Sequence, residues 1–392
     1  MMKKLKIHLP LNSEVQTITT LLDGDLFVVG GVVRDKLFEH FHGHSFNPKD
    51  IDIATSAHPD TVLEKLNSTK AKSLKIQTLE IGKSFGVVAA VFPSGNVYEI
   101  ATFRNEWYCP ETGDGRRPDK VEFSTAKEDA QRRDLTINGL FYDIQAGEVI
   151  DYVGGISDIE RKIVRPVGDP AQRYQEDRLR VLRTIRFLCR YQEVDDVRAS
   201  LDIRTLIAIE KWMNLPGVSG ERIVAEFQSG LKQAIHPQQY LTSLMLLDLL
   251  PAMFPGLEYC PDMVMETDSR NTNIVLTKIF PDVSPKNLAK KLIELKYDGS
   301  TSHKVKFLSS LFAFDPQDVY SYLKSRDRFC EPMIEDVREL CDCTGLDREE
   351  MERLMSFVPT VNAASFPDLE EGPLLGQAIR EGITKEYAAL VG

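Results

Sequence analysis

The chain has 392 residues, more than one ordinary hydrophobic core accommodates, so roughly two to four domains are expected. The hydrophobic fraction of 42% and the charged fraction of 27% are typical of globular proteins, and no run of about 18 apolar residues is present to span a membrane. The net charge of −11 argues against a protein that binds nucleic acid over its whole surface, but it leaves a local basic groove open.

Other bulk features favour a cytoplasmic location. The six cysteines are scattered, which is typical of reduced thiols rather than of a disulfide framework. The basic start, "MMKKLKIHLPLNSEV", is followed by no apolar run, so we expect no signal peptide. Neither a membrane nor a protein partner is expected.

Signals of β-structure dominate about the first 155 residues. The stretch "LFVVGGVV" (26–33) predicts a strand that leads into a tight turn, and "TVLEKL" (61–66) predicts the start of a short helix. Two hairpins are expected, in "FGVVAAVFPSGNVYEIATFR" (85–104) and in "GLFYDIQAGEVIDYV" (139–153). Between them, "RNEWYCPETGDGRRPDK" is predicted to be a long polar loop, either functional or disordered.

Helical periodicity begins after about Gly168 and continues to the end of the chain. In "EDRLRVLRTIRFLCRY" (176–191) apolar residues recur at helical spacing. In "DREEMERLMSFV", Asp347 is predicted to cap a helix, just after Gly345 ends the previous one. The sequence therefore predicts an α/β head followed by an all-helical remainder.

Asp50 and Asp52 lie one residue apart in "NPKDIDIATSAHP", on a pattern that favours a strand. Because side chains on a strand alternate between faces, both carboxylates are expected on the same face. Two such carboxylates suit Mg²⁺, which completes its coordination with waters and substrate phosphates. The preceding Gly30 and Gly31 allow backbone to approach a triphosphate. The alternative is a surface strand with two solvated acids.

The chain resembles the class II nucleotidyltransferases, which include tRNA CCA-adding enzymes and bacterial poly(A) polymerases. "GGVVRD" with "KDIDIAT" resembles the first motif of this family, and further motifs follow in order. They are "DGRRPDKVEF" (114–123), similar to the end of the family's flexible loop; "EDAQRRDLTINGLFYD" (128–143), similar to the second motif; residues 151–187, similar to the third and fourth; and "SGERIVAEF" (219–227), similar to the fifth.

The resemblance implies an α+β protein with a small mixed-sheet, polymerase-β-like head and a helical neck, body and tail. The implied boundaries are 1–155 for the catalytic head, 156–230 for the nucleotide-selecting neck, and 231–392 for the tRNA-binding body and tail. Asp50 and Asp52 are implied to hold Mg²⁺, which activates the attacking hydroxyl and steadies the leaving pyrophosphate. Glu99, on a predicted strand, is the candidate third carboxylate, although it could equally be an ordinary glutamate at a strand edge.

The resemblance also implies a set of nucleotide-binding residues. Its members are Gly30, Gly31, Arg34, Arg132, Arg133, Asp134, Asn138, Asp177, Arg180 and Arg222. Of these, the "RRD" of 132–134 is implied to bind ribose and phosphates.

The pair Asp177 and Arg180 is implied to select the incoming base. On a helix these residues would share a face. A carboxylate can accept from the amino group of cytosine or adenine while a guanidinium donates to the adjacent ring nitrogen. Uracil and guanine present the reverse order and would leave the pair mismatched. The alternative is an exposed ion pair.

The function implied is template-independent addition of C, C and A to the 3′ end of tRNA, with CTP and ATP as substrates and with contacts to the acceptor and T arms. Residues 161–190 hold nine Arg or Lys against three Asp or Glu. Within this segment, four arginines could neutralise triphosphate or tRNA phosphates, or could serve packing and ion pairing. They are Arg173, Arg183, Arg186 and Arg190.

Alternative functions remain open. They are a poly(A) polymerase, an enzyme that adds only A or only CC, and a non-catalytic RNA-binding protein on the same fold. The loop at 104–120 is present in the sequence, which disfavours the CC-only enzyme, and the carboxylate pair disfavours a non-catalytic protein.

The segment "KLFEHFHGHSFNPK" is longer than the short turn usual in the family, and it carries His40, His42 and His44. A zinc site needs three or four converging ligands, which histidines in a loop supply poorly. A surface insertion is therefore the favoured interpretation.

Overall fold

The computed structural model describes residues 2–22, 24–46, 50–82, 86–107, 120–192, 199–312, 319–326 and 333–391. The chain forms two compact units, Met1–Val218 and Ser219–Gly392. A mixed sheet with many helices confirms the predicted α+β class. The finer boundaries at 155 and 230 stay predictions. In the part of the chain described, no helix is both long and apolar enough to cross a membrane.

Among the described residues, all strands lie in the first unit. They are β1 (Lys3–Lys6), β2 (Leu26–Val29), β3 (Asp52–Thr55), β4 (Gln77–Gly82), β5 (Val87–Val91), β6 (Val97–Thr102), β7 (Arg104–Trp107), β8 (Lys120–Phe123), β9 (Leu140–Asp143), β10 (Glu148–Asp151), β11 (Ile163–Val164) and β12 (Ser200–Leu201).

Eight of these strands form one sheet, in the order β1-β10-β9-β2-β3-β6-β5-β4. Within it, β3 and β6 pair in parallel and the other neighbours are antiparallel. Both predicted hairpins are confirmed, as β5 with β6 and β9 with β10.

Helices cover both faces of this sheet. The helices of the first unit are α1 (Ser13–Leu21), α2 (Gly31–His42), α3 (Pro59–Leu66), α4 (Thr69–Ser73), α5 (Ala126–Arg132), α6 (Gly155–Glu160), α7 (Pro170–Glu176), α8 (Leu179–Arg190) and α9 (Ile203–Trp212). Side chains that alternate along β3 enter two apolar clusters: Ile53 packs with α1 and α3, and Ala54 packs with Ala130 of α5.

Three sequence expectations need correction. Asp50 lies just before β3, because the ladder with β2 begins where Asp52 pairs with Val29. The predicted loop at 104–120 has paired ends, since β7 and β8 form an antiparallel ladder. Residues 108–119 of that loop lie outside the described residues.

The third correction concerns the histidine segment, which is largely helical. Helix α2 continues through His40 to His42 and ends at Gly43, which adopts the left-handed conformation with φ of 70°. The His42 ring lies 4.7 Å from the Phe38 ring, and its Nε2 lies 2.8 Å from the carbonyl oxygen of Ile159. His42 therefore serves packing.

In the described residues of the second unit, all regular secondary structure is helical. Its helices are α10 (Gly220–Gln233), α11 (Pro237–Leu246), α12 (Leu249–Met253), α13 (Pro261–Glu266), α14 (Thr272–Ile279), α15 (Pro285–Glu294), α16 (Gly299–Phe312), α17 (Val319–Arg326), α18 (Ile334–Thr344), α19 (Arg348–Ser356) and α20 (Pro373–Val391). The predicted Asp347 cap is confirmed, since its carboxylate accepts from the backbone N–H of Glu350, and Gly345 ends the previous helix.

Gly230 gives a test of packing in the second unit. A Cβ added there would lie 2.0 Å from Cζ of the fully buried Tyr240, so the contact between α10 and α11 requires glycine. We expect Gly230→Ala to lower the free energy of unfolding by about 3 kcal/mol, because the ring must shift within a packed core. Gly376→Ala is the matched control, since no atom lies within 4 Å of an added Cβ in α20. It should raise stability by up to about 1 kcal/mol, and urea unfolding followed by circular dichroism checks both. Equal stability of the two variants would contradict this packing.

Candidate active site

Three carboxylates gather at one edge of the main sheet. The parallel register pairs Ile53 with Ile100, so Asp52 and Glu99 lie side by side on neighbouring strands and on the same face. Asp50 lies two residues earlier and, like the other two, is exposed. The strand pairing therefore supports the prediction of Glu99 as a neighbour of Asp52.

The surrounding protein and the neighbouring acids raise the pKa of Asp52. Desolvation by the surrounding protein is the largest cause that raises this pKa, although the side chain reaches solvent. Repulsion from Glu99 raises it further, the positive charge of Arg133 lowers it in part, and repulsion from Asp50 adds a smaller increase. The net pKa lies above the ordinary value, so the charged form of Asp52 calls for a nearby cation.

These residues fit a divalent metal. Carboxylates are the hard oxygen ligands that Mg²⁺ takes, and an exposed pair leaves room for waters and phosphate oxygens in the remaining positions. In the described ranges, no group of three or more His, Cys, Asp or Glu is arranged as a metal site of its own. The cation would thus be shared between the Asp50–Asp52 pair and a substrate.

The turn between β2 and α2 brings backbone close to Asp52. Gly30 has a φ of 73°, and an added Cβ would lie 3.1 Å from Oδ2 of Asp52. Both the backbone conformation and the close approach therefore require glycine. Gly31 begins α2, and an added Cβ there would lie 3.4 Å from Nη2 of Arg34.

Arg132 and Arg133 are held by Asp129, which the sequence reasoning missed. Asp129 is 1% exposed, and its two oxygens accept from Nε of Arg132 at 2.9 Å and from Nη2 of Arg133 at 3.2 Å. Arg132 also donates to Glu106 at 3.0 Å. The spacing of Asp129 three and four residues before the arginines, on a helix, is a signal that could have identified it.

Asp134 and Asn138 form a buried polar pair behind this site. Asn138 Nδ2 donates to Asp134 Oδ1 at 3.0 Å, and Arg183 Nε donates to Asp134 Oδ2 at 2.7 Å. Burial alone would raise the pKa of Asp134, but the charge of Arg183 and these hydrogen bonds hold it well below its usual range. Asp134 is thus a permanent anion.

Arg34 is also buried, at 7% exposure. Its guanidinium donates to Asp35 and, through Nη1, to Asn138 Oδ1 at 2.7 Å. The guanidinium packs against Gly31 of the turn and, through Asn138, connects the turn to the residues that follow Arg133.

Asp177 and Arg180 do not share a helical face, which corrects the expectation from spacing. Asp177 ends α7 in an extended conformation, and its carboxylate accepts from the backbone N–H of Leu179 at 3.1 Å. An aspartate competes for local backbone donors, so it separates α7 from α8 instead of continuing a helix. Arg180 lies in the first turn of α8, and its Nη1 donates to Glu176 at 2.6 Å and to the carbonyl of Arg173 at 3.1 Å.

The other arginines of this basic segment contact the protein itself. Arg183 pairs with Asp134, Arg190 Nη2 donates to Asp35 at 3.0 Å, and Arg173 donates to the carbonyl of Arg133 at 2.9 Å and to Glu176. The guanidinium of Arg186 lies 4.3 Å from the centroid of the Phe187 ring. Arg222 belongs to α10 in the second unit.

Residues 26–165 match the family model described as Poly A polymerase head domain. With the acidic sheet edge and the arginines around it, this match defines a nucleotidyltransferase head. A CCA-adding enzyme of Bacillus velezensis is 32% identical over 356 residues, which cover 88% of this chain and 82% of that relative. A CCA-adding enzyme of Bacillus pumilus is 45% identical over 208 residues, which cover 53% of this chain but only 46% of the relative.

The chain belongs to the family of CCA-adding enzymes. This confirms the resemblance inferred from the motifs. The crystal structure of the Bacillus stearothermophilus CCA-adding enzyme in complex with CTP has the same fold, with a TM-score of 0.66 at 23% identity over 96% of both chains. Several curated relatives are matched over about half of their length, as for Bacillus subtilis, where the chain covers 52%.

Glu99 provides a test of the acidic sheet edge in the metal-free protein. The folded-state pKa of Asp52 is raised, so its charge opposes folding above that pKa, and the effect disappears as the pH falls through it. Glu99→Gln should therefore raise the free energy of unfolding at pH 7 by a few tenths of a kcal/mol, a small value because exposed charges are screened. The gain should vanish when the pH falls far enough to protonate Asp52.

Thermal unfolding in the presence of a chelator measures this difference. Glu64→Gln, which alters an exposed glutamate on α3, should leave stability unchanged at both pH values. A Glu99→Gln variant that is no more stable than this control at pH 7 would argue against repulsion at the sheet edge.

Proposed function

We propose that this protein adds C, C and A to the 3′ ends of tRNAs that lack them, with CTP and ATP as substrates and no nucleic-acid template. The observation that carries the proposal is the acidic sheet edge, where Asp52 has a raised pKa beside Glu99 and Arg133. The relatives matched along most of the chain are named CCA-adding enzymes, which supports tRNA as the substrate. Work on tRNA favours a cytoplasmic location.

Magnesium is the ion that we assign to Asp50 and Asp52, with Glu99 as the neighbouring acid. When bound, such a cation supplies positive charge at the phosphate that reacts and at the oxygens that attack and leave. Asp50 and Asp52 would hold the cation at the sheet edge, where the primer 3′-hydroxyl attacks the α-phosphate in line, the bond between the α- and β-phosphates breaks and pyrophosphate leaves. The Gly30–Gly31 turn gives the phosphates a close approach to backbone.

Arg132 and Arg133 are proposed to meet the triphosphate and ribose. Asp129 orients both guanidiniums before substrate binds, which lowers the entropy lost on binding. Asp134 and Asn138 fix the backbone that follows the arginines, and Arg34 supports Asn138. Arg222 stays a prediction from the sequence alone.

Asp177 and Arg180 are proposed to read the base at the junction of α7 and α8. The contacts of Arg180 with Glu176 and Arg173 both use Nη1 and fix the plane of the guanidinium. The bond to the N–H of Leu179 orients the Asp177 carboxylate. Both groups are thus positioned by their own neighbours, as selection between similar bases requires.

A poly(A) polymerase is the second candidate, because the matching head model carries that description. Incubation with tRNA that lacks its last three nucleotides, with CTP and ATP separately and together, distinguishes the functions once the ends are sequenced. CCA ends support the proposal, long A tracts support the polymerase, and a single A on a tRNA that already ends in CC supports an A-only enzyme.

The carboxylate pair yields a direct prediction. Asp50→Asn and Asp52→Asn should each lower kcat for CTP addition at least about a hundredfold, because each removes a charged metal ligand. Circular dichroism should show an intact fold. Asp25→Asn is the control, since Asp25 is an exposed acid just before β2, at the end of that strand remote from Gly30. Either variant that keeps more than a tenth of wild-type kcat would contradict the assignment.

Base selection yields a second prediction. Asp177→Ala should lower the preference for CTP over UTP about ten- to a hundredfold in kcat/KM, because the acceptor that meets the cytosine amino group is lost. Single-nucleotide addition with all four nucleotides on one tRNA measures this ratio. A wild-type ratio in the variant would show that Asp177 serves only to start α8.

A further inference from the structure

Helices α2 and α8 are joined at a buried carboxylate, Asp35, which is 4% exposed. It accepts from Nη2 of Arg190 at 3.0 Å and from the hydroxyl of Tyr191 at 3.1 Å, both at the end of α8. It also accepts from Nε of its neighbour Arg34 at 2.9 Å. Its partners therefore come from both helices.

The contacts continue from Arg34 in a closed path. Nη1 of Arg34 donates to Asn138 at 2.7 Å, Asn138 donates to Asp134 at 3.0 Å, and Asp134 accepts from Arg183 at 2.7 Å. Arg183 lies on α8 two turns before Arg190. The path thus leaves α8 at Arg183 and returns to it at Arg190. We call these six residues the polar circuit: Arg183, Asp134, Asn138, Arg34, Asp35 and Arg190.

Aromatic side chains of α8 also pack against α2, on the same face of α8 as Arg183 and Arg190. The Arg34 guanidinium lies 4.7 Å from the centroid of Phe187, which stands between Arg183 and Arg190. Tyr191 stacks on Phe38 of α2 at 4.1 Å between ring centroids. Residues spaced by three or four share one face of a helix, so α8 presents a single stripe to α2 and Asn138.

Two members of the circuit have pKa values that are shifted in favour of their charged forms. Burial alone would lower the pKa of Arg34, but the neighbouring Tyr191 and Asp35 raise it above its usual value. The pKa of Asp134 is held low. Both shifts favour the ion pairs that Arg34 and Asp134 make within the circuit.

The two joined helices carry different parts of the site. Helix α2 begins at the Gly30–Gly31 turn against Asp52, and α8 begins at the junction that bears Asp177 and Arg180. A helix is stiff, so the position of its first turn depends on how the rest of the helix is held. The contacts of Asp35 with the end of α8 therefore affect where α8 places Asp177 and Arg180 relative to the turn that begins α2. The proposed function assigns the two parts to phosphate chemistry and to base selection.

We propose that Asp35 is a positioning residue, which holds the base-selecting end of α8 in register with the acidic sheet edge through Arg190 and Arg34. The inference rests on the proposed function of Asp177 and Arg180. Asp35 itself touches no substrate. Loss of the Asp35 carboxylate should therefore shift Asp177 and Arg180 and weaken base selection, while the residues of the acidic sheet edge remain present.

The experiment compares Asp35→Asn and Arg190→Gln with a matched control. Asp158→Asn is that control, because Asp158 is 2% exposed, pairs with Arg165 at 2.8 Å, accepts from Thr136 at 2.6 Å and lies outside the circuit. All variants are assayed below their unfolding transitions, as checked by circular dichroism. The measurements are kcat and KM for CTP and UTP on the same tRNA, and calorimetric binding of each nucleotide without tRNA.

We expect Asp35→Asn and Arg190→Gln each to lower the CTP-over-UTP ratio in kcat/KM about five- to tenfold, and their double variant to be no worse than the stronger single one. Asp158→Asn should keep the ratio within about twofold, although it also loses a buried ion pair. If both circuit variants keep the wild-type ratio and only their stability falls, Asp35 is structural and the inference is overturned.

Calorimetry separates this outcome from a failure of the proposed function. Wild-type protein that leaves the tRNA unextended would refute the proposed function. The preference for CTP over UTP in calorimetric binding, compared between wild type and Asp35→Asn, would still test the role of Asp35. Wild-type protein that binds CTP and UTP equally would overturn the inference, because no selection would be left to position.

Discussion

The repulsion between Asp52 and Glu99 is the interaction on which the charge balance of the candidate site depends. Their side-by-side placement follows from the parallel pairing of β3 with β6, the one parallel contact in the described part of the main sheet. Desolvation and the charge of Glu99 together raise the pKa of Asp52. A cation bound with a phosphate-bearing substrate would compensate the negative charge of these acids. The most favourable binding is therefore expected at the position where the chemistry is proposed to occur.

The positive charges near this edge are kept in place by buried acids. Asp129 holds Arg132 and Arg133, Glu176 holds Arg180, and Asp35 holds Arg34 and Arg190. These ion pairs keep the guanidiniums oriented. Of these arginines, only Arg133 is close enough to Asp52 to lower its pKa, and that effect is partial.

Local patterns were sufficient for much of the fold. Both hairpins, the strand before Gly30 and the cap at Asp347 depend on residues close in sequence, and all of them were predicted correctly. The exact end of α2 and the break at Asp177 were not predicted. His40 and His42 are compatible with either helix or loop, and the packing of His42 on α6 decides between them. The break at Asp177 depends on a side chain that competes with backbone.

Candidate site residues were easier to identify than their partners. The motifs named Arg34, Asp134 and Asn138, but spacing gave no sign that they contact one another, because hydrogen bonds between distant segments leave no periodic signal. Asp129 is the exception, since helical spacing connects it to Arg132 and Arg133. The roles of all these residues in binding nucleotide stay predictions, whereas membership of the family follows from similarity along most of the chain.

The contact between Asp35 and Arg190 has a consequence for how the chain folds. These residues are 155 positions apart, so the buried carboxylate has no cation from α8 until nearly the whole first unit has been synthesised. A segment that ends at residue 165, where the match to the head model ends, would leave Asp35 paired with Arg34 and without the stripe of α8 that covers it. The stretch that the family model matches is therefore shorter than the compact unit in which Asp35 is buried, and a chain still on the ribosome can complete the contacts of Asp35 only after α8 has been synthesised.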